Sequence, residues 1–151
     1  MIVTPFSVAY RFLGLKEVAG HASSPQVLAM LQITDPSVQD DDVPWCSGFL
    51  NYICWLLNCQ RSGSLAARSW LKVGRPITIE QAEPDCDVVI LSRGAGPQPG
   101  PDVIAAPGHV GFFAGLDPAH GAVSLLGGNQ GDAVSVASFP TPRILGIRRI
   151  A

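Results

Sequence analysis

The sequence predicts an α+β fold in which N-terminal helices pack on one antiparallel β-sheet. Apolar residues in the first half of the 151-residue chain recur with helical spacing. The second half instead contains short β-branched segments separated by Gly, Pro and Asp turns. Helices followed by a strand meander indicate this class. We expect one domain over residues 1–151, a length that is sufficient to bury a core.

Four helices are predicted in the first half of the chain. Residues 5–14 and 24–33 form the first two, and the acidic loop DPSVQDDDVP follows them. From Cys46 onward, apolar residues stand at positions 46, 49, 50, 53, 54 and 57, which is the spacing of an amphipathic helix. This apolar stripe is expected to face the sheet. A shorter helix is predicted over residues 64–73.

Five strands are predicted in the second half. The segments are short, rich in β-branched residues and bounded by turn residues, as expected for a meander. A Gly- and Pro-rich stretch after the first strand is expected to form a flexible loop. The predicted strands cover residues 87–91, 109–115, 122–127, 133–139 and 144–150.

Composition and charge exclude several classes of protein. Hydrophobic residues make up 47% of the chain and charged residues 15%, which excludes a disordered chain. A net charge of −2 without a cluster of Lys and Arg argues against a nucleic-acid partner. No apolar run reaches the roughly 18 residues of a membrane span, and no signal peptide is evident. We therefore expect synthesis in the cytoplasm, with export by another route or release by lysis.

Cys46 is the candidate nucleophile among four cysteines. None of the four forms a CxxC pair or stands at zinc-ligand spacing to a histidine, so neither a metal nor another cofactor is expected. Cys46 falls in the first turn of its predicted helix, where the helix dipole favours a thiolate and lowers the thiol pKa. The carboxylates at positions 40–42 would oppose this unless they turn away. Cys54, two turns further along, has no such activation.

His109 is the candidate base. His21 and His120 stand in turn-like stretches, whereas His109 opens a predicted strand. A hairpin that pairs Ala114 with Ala122 would put Asn129 on the face of His109, where its side-chain oxygen could hold the imidazole. Gln130 has the opposite parity in that register, and a one-residue slip would remove the argument. From spacing alone, a catalytic pair and a structural cysteine with a turn histidine both remain open.

Several sequence blocks together resemble a known family. They are PWCSGFLNYI, GSLAARSWLKVG, DVVIL, GHVGFFAG and LLGGNQGDAVSV, with FLGLKEVAGHASSPQVLAML near the N-terminus. In this order they resemble small phage and bacterial proteins of the NlpC/CHAP superfamily, which are papain-like cysteine peptidoglycan hydrolases. The resemblance implies a papain-like fold with Cys46 as nucleophile, His109 as base and Asn129 as the third residue. One departure is PDCD, where Cys86 replaces a turn glycine.

Four further residues are candidates for substrate binding. Trp45 and Trp70 would line a groove, although a tryptophan beside a helix also suits the core. Arg68 would bind a carboxylate of the stem peptide with its bidentate fork, or else form an ion pair on a helix surface. Gln130 would line the mouth of the site.

The resemblance implies hydrolysis of peptidoglycan amide bonds. The expected activity is that of a stem-peptide endopeptidase or an N-acetylmuramoyl-L-alanine amidase, in a phage lysin or an interbacterial effector. Its partner would be the peptidoglycan stem peptide, and an effector would also have an immunity protein. Two alternatives remain. One is a non-catalytic module that binds cell wall or protein, and the other is a cysteine protease or acyltransferase acting on a protein.

Overall fold

The computed structural model describes residues 1–18 and 23–151, and His21 therefore lies outside the described residues. Helix α1 covers Pro5–Ala9 and continues as a 3₁₀ turn over Tyr10–Phe12. Helix α2 covers Pro25–Thr34, where the Ser24 side chain accepts a hydrogen bond from the Val27 N–H. No helix in this described part is long and apolar enough to cross a membrane.

Helix α3 covers Cys46–Leu56, so the predicted amphipathic helix and its first residue are confirmed. The predicted helix over 64–73 is instead a 3₁₀ helix over Ala67–Lys72. No side chain caps its start. Short pieces of 3₁₀ helix are common in such connections.

Six strands form one antiparallel sheet in the order β1-β6-β2-β3-β4-β5, which confirms the predicted α+β class. The sequence did not predict β1, because three residues that include a proline are too few to show alternation. The strands are β1 Arg75–Ile77, β2 Asp87–Ser92, β3 Gly108–Asp117, β4 Ala122–Gly127, β5 Ser135–Pro140 and β6 Ile144–Arg149.

The sheet carries apolar side chains on both faces. Because successive strand residues point to opposite faces, Val88 and Ile90 of β2 join the helix-side core, and Val89 and Leu91 join a second cluster. The helix-side core contains Cys46 and most of α3. All six residues of β2 are buried, as expected for a strand that is covered on both sides.

The β3–β4 hairpin has a different register from the predicted one. Ala122 pairs with Asp117, not with Ala114, and a bulge lies between Phe113 and Gly115. The hairpin is closed by a 3₁₀ turn over Pro118–His120 and by Gly121 in the left-handed conformation, with φ of 56°. This connection is shorter than the predicted loop, so each β3 residue lies opposite a later residue of β4.

This register leaves one edge of β3 open. Phe112 pairs with Leu126, and β4 ends at Gly127, whereas β3 begins four residues before Phe112, at Gly108. On the other side, β2 still pairs with β3 as far as Gly108. Residues 108–110 therefore have a strand neighbour on one side only, and the candidate site is built around this open edge.

Cys86, which stands where a turn glycine was expected, does not distort the turn. It is not among the residues with positive φ, so the local backbone accepts a side chain there. Its carbonyl accepts a hydrogen bond from the Ile150 N–H, and its side chain packs against the helix-side core.

Candidate active site

Cys46 is the first residue of α3 and is 2% exposed. No side chain caps the helix, and the first backbone bond runs from the Phe49 N–H to the Trp45 carbonyl. The N–H groups of the first turn are therefore not used within the helix. Such groups can stabilise negative charge that develops next to the cysteine.

The pKa of the Cys46 thiol is raised, contrary to the expected lowering. Burial is the largest cause, because removal of water disfavours the thiolate. The backbone N–H groups of Val110 and Ser47, together with the charge of Arg93, act in the opposite direction and lower it. The helix start is present as predicted, but the stripe that directs Cys46 inward also desolvates it. The resting cysteine is a neutral thiol.

The acidic loop before α3 does not oppose Cys46 in the expected way. Asp41 is 2% exposed, and its carboxylate accepts a hydrogen bond of 2.7 Å from the Ser24 N–H. Asp40 and Asp42 are exposed. One carboxylate of this loop therefore supports the start of α2, and the other two face solvent.

His109 lies on β3 with its ring 5.2 Å from that of Phe139, centroid to centroid. Its Nε2 is 2.9 Å from Gln130 Oε1. The Gln130 amide nitrogen donates to the carbonyls of Leu125 and Ser135, at 3.1 and 2.7 Å, so its oxygen is the atom that faces the imidazole. An amide oxygen can only accept, and Nε2 must therefore carry the proton. In the neutral ring, the lone pair is left on Nδ1, the nitrogen that can act as a base.

Burial lowers the pKa of His109, because the imidazolium is costly away from water. The bond to Gln130 raises the pKa, and the charges of Arg93 and Arg143 lower it further. His109 is 6% exposed. The imidazole therefore stays neutral to lower pH than an ordinary histidine, which keeps it available as a base.

Gln130, not Asn129, makes the hydrogen bond to His109. Asn129 has a φ of 57° and lies beyond the end of β4 at Gly127. Strand alternation no longer applies beyond that point, so parity could not decide between the two residues. In the described part of the chain, Asn129 makes no side-chain hydrogen bond to His109, although both line the same depression. The Gln130 carboxamide, predicted at the site mouth, is 8% exposed.

Cys46 and His109 approach the open edge of β3 from opposite faces of the sheet. Cys46 belongs to the helix-side core, whereas His109 pairs with Leu91 of the second cluster and shares its face. The sequence had instead predicted that Cys46 on its helix faces the sheet surface that carries His109. The N–H of Val110 lies near the Cys46 sulfur, which brings the thiol to the backbone next to His109. No hydrogen bond joins the two side chains within the described residues.

Two surface depressions meet beside this edge. The thiol depression, of about 510 Å³, is lined by Cys46 and by small apolar residues of segments 65–67 and 105–108. The imidazole depression, of about 450 Å³, is lined by His109, Asn129, Gln130 and Arg143 among others. Arg93 lines both depressions and therefore lies between them. Arg93 is not among the residues predicted from the sequence, although its position directly after β2, the strand that pairs with the strand of His109, was a usable signal.

Trp45 and Trp70 belong to the core and do not line a groove. Trp45 is 1% exposed, and its indole N–H donates to Glu17 at 2.7 Å. Trp70 is fully buried and donates to the Ser47 hydroxyl at 2.8 Å. Both rings lie in the core beside the first turn of α3, so the prediction that they contact substrate is wrong.

Arg68 is fully buried, not on a surface open to substrate, and forms no ion pair with an acidic side chain among the described residues. Its Nε donates to the Pro107 carbonyl at 3.0 Å, and its Nη1 donates to the carbonyls of Pro99 and Gly100 at 3.0 and 2.7 Å. Its Nη2 has no partner among the described residues. Arg68 therefore holds the Gly- and Pro-rich loop against the 3₁₀ helix, and this loop forms one wall of the thiol depression.

The described residues contain no cluster of three or more His, Cys, Asp and Glu side chains placed to hold a metal ion. The groups that do line the two depressions are a thiol, an imidazole, two carboxamides and two guanidinium groups. This set suits nucleophilic attack with transfer of the thiol proton to the imidazole.

Comparisons with known proteins agree with this arrangement at the level of fold. No model of a known protein family and no curated protein sequence matches the chain. A solved structure, NlpC1 from Trichomonas vaginalis, matches with a TM-score of 0.52 and 17% identity. The match covers 96% of this chain and 42% of that protein's length. The chain therefore has an NlpC-like, papain-like fold.

Proposed function

We propose that this protein is a cysteine hydrolase that cleaves amide bonds in peptidoglycan, with Cys46 as nucleophile and His109 as base. The observation that carries the proposal is the hydrogen bond from His109 Nε2 to a fixed Gln130 oxygen, because it leaves Nδ1 unprotonated. The position of the Cys46 sulfur at the backbone of the residue that follows His109 supports it. Gln130 takes the orienting role that the family resemblance assigned to Asn129.

The proposed reaction starts from a neutral pair. His109 Nδ1 accepts the thiol proton as the Cys46 sulfur attacks the substrate carbonyl, and the first-turn N–H groups of α3 stabilise the oxyanion. The imidazolium then protonates the leaving amine as the carbon–nitrogen bond breaks, which leaves a thioester. Water attacks the thioester with His109 as base and restores the thiol.

The proposed substrate is the peptidoglycan stem peptide, and the bond is that of a stem-peptide endopeptidase or an N-acetylmuramoyl-L-alanine amidase. We propose that the protein acts at the cell wall after export or lysis, as a phage lysin or an interbacterial effector. An effector of this kind would need an immunity protein as partner.

The test is mass spectrometry of purified sacculi digested with the wild type, Cys46→Ala and Cys54→Ala. Muropeptide fragments should appear with the wild type and with Cys54→Ala, and be absent with Cys46→Ala. The fragment masses identify the bond, because an amidase separates glycan from peptide and an endopeptidase does not. Digestion by Cys46→Ala would rule out this nucleophile.

A second candidate function is favoured by one observation. Cys46 is 2% exposed and its pKa is raised, which also suits a non-catalytic module that keeps the fold and binds cell wall or protein. Sacculi that retain the wild-type protein without releasing any fragment would support this module and contradict the hydrolase.

A further inference from the structure

Arg93 lies between the two depressions of the candidate site without a partner of its own. It directly follows β2, is exposed, and lines the depressions that contain Cys46 and His109. Within residues 1–18 and 23–151, its guanidinium makes no hydrogen bond and no salt bridge. A guanidinium group offers a planar fork of donors that matches a carboxylate.

Among the described residues that line the two depressions, the charged side chains are all positive. Neither depression has an Asp or Glu among its described lining residues, and the imidazole depression adds Arg143. The charge of Arg93 lowers the pKa of both Cys46 and His109. Water-poor clefts lined by one sign of charge concentrate ligands of the opposite sign. The site therefore favours an anion, although the chain as a whole has a net charge of −2.

Arg143 and Arg93 differ in the contacts that their guanidinium groups make. Arg143 donates from Nε and Nη2 to the Ser92 carbonyl and lies over the Phe139 ring, so it has a structural role. Arg93 has no such contact among the described residues. A cation beside a histidine base also makes that base weaker, a cost that a bound anion would offset.

We propose that Arg93 binds a free carboxylate of the substrate next to the scissile amide. On the other side of Arg93, the residues of segments 65–67 and 105–108 that line the thiol depression are all apolar. The substrate is thus a peptide with a free carboxylate at Arg93 and an apolar part in the thiol depression. This inference rests on the proposed hydrolase, since it defines a specificity residue for that site.

The first test does not require hydrolysis. Cys46 is alkylated with iodoacetate, which carries a carboxylate, or with iodoacetamide, its neutral counterpart, and peptide mass spectrometry gives each rate. The iodoacetate to iodoacetamide rate ratio at Cys46 should fall about threefold in Arg93→Gln, the size expected for one exposed charge pair. Arg75→Gln, which removes another exposed arginine, should leave the ratio unchanged. An equal ratio in wild type and Arg93→Gln would overturn the subsite.

The second test uses sacculi whose free carboxyl groups have been converted to carboxamides with ammonium chloride and a carbodiimide. The wild type should digest them about tenfold more slowly than untreated sacculi, as expected for loss of one charge-assisted hydrogen bond. Arg93→Gln should digest both substrates at this lower rate, and Arg93→Lys should recover part of the preference. If the wild type digests neither substrate, the proposed hydrolase activity is wrong. The alkylation ratio then still tests whether Arg93 binds a carboxylate. Equal preference in wild type and Arg93→Gln overturns the subsite while leaving the hydrolase intact.

Discussion

Cys46 and Cys54 lie on the same face of α3, two turns apart, and differ in their neighbours and not in their burial. Both belong to the helix-side core, and both thiols have a raised pKa. Burial, aided by the nearby Cys59, raises the pKa of Cys54 to about 12. Cys46 lines a surface depression and has backbone N–H groups and Arg93 beside it.

This comparison shows that burial alone does not separate a structural cysteine from a nucleophile. An isolated buried thiol is inert because nothing nearby accepts its proton or stabilises its charge. Cys46 is equally desolvated, but it lies where α3 begins and where β3 loses its β4 neighbour. The groups that gather there distinguish the two positions, and the predictions below remove those groups one at a time.

The largest effect is expected from His109→Ala, which should make Cys46 as inert as Cys54. Loss of a general base typically costs about 10²–10⁴-fold, so the rate of muropeptide release should fall by that factor. The matched control is His120→Ala, since His120 is exposed and its imidazole contacts only Asp117 in the described structure. Digestion at the wild-type rate by His109→Ala would contradict the assignment of the base.

A smaller loss is expected from Gln130→Leu, which leaves the Nε2 proton of His109 without an acceptor. Gln130 also accepts a hydrogen bond from the imidazolium that forms during the reaction, and loss of a bond to a charged group costs about 1.5–3 kcal/mol, so kcat should fall by roughly 10- to 150-fold. Asn129→Gly is the comparison variant, because glycine tolerates the φ of 57° at this position. We expect it to keep most of the activity. A larger loss of activity in Asn129→Gly than in Gln130→Leu would indicate that Asn129, not Gln130, orients His109.

Arg68→Met should lower stability more than it lowers the rate of the chemical step. The change removes three hydrogen bonds from a buried cation to loop carbonyls, and we expect a loss of about 3 kcal/mol in the free energy of unfolding. Urea denaturation gives this value, with the exposed Arg75→Met as control. Proteolytic cleavage within residues 94–107 should also become faster. Unchanged stability and unchanged loop cleavage would show that the loop is held by other contacts.

The smallest effect concerns pH. His109 must be neutral to act as a base, and burial lowers its pKa from 6.5. The acid limb of the kcat/KM profile should therefore have its midpoint below 6.5, and activity should persist at pH values where an ordinary histidine is protonated. In Gln130→Leu the midpoint should move lower still, because the lost bond raises the pKa. A midpoint at or above 6.5 would contradict a lowered pKa for the His109 base.

The lowered pKa of His109 also predicts the direction in which stability changes with pH. A histidine with a lowered pKa binds fewer protons in the folded state than in the unfolded state, so stability should fall as pH drops below 6.5. The loss should become larger until the pH reaches the folded pKa. His109→Ala should lose this part of the pH dependence in urea titrations between those pH values.

Local patterns predicted most of the elements but few of the contacts of the site. Helix α3 begins at Cys46 as its apolar stripe predicts, and four of the five predicted strands begin within one residue of their predicted starts. The fifth begins at Ser135, because Ala133 pairs with Lys16 instead. Trp45, Arg68 and Trp70 were predicted to contact substrate but are buried. A pattern along the chain does not show which distant residues pack against a side chain.

The sequence by itself determined the α+β class, the helix start at Cys46 and the strand that presents His109, because apolar spacing and turn residues act over a few neighbours. Only the tertiary structure decided that Gln130 is the residue hydrogen-bonded to His109 and that Arg68 donates its hydrogen bonds to loop carbonyls. It also decided that Arg93 lies between two depressions. These contacts depend on the hairpin register and on where β4 ends. A bulge and a left-handed turn shifted both, and such features follow from the packing of the whole sheet.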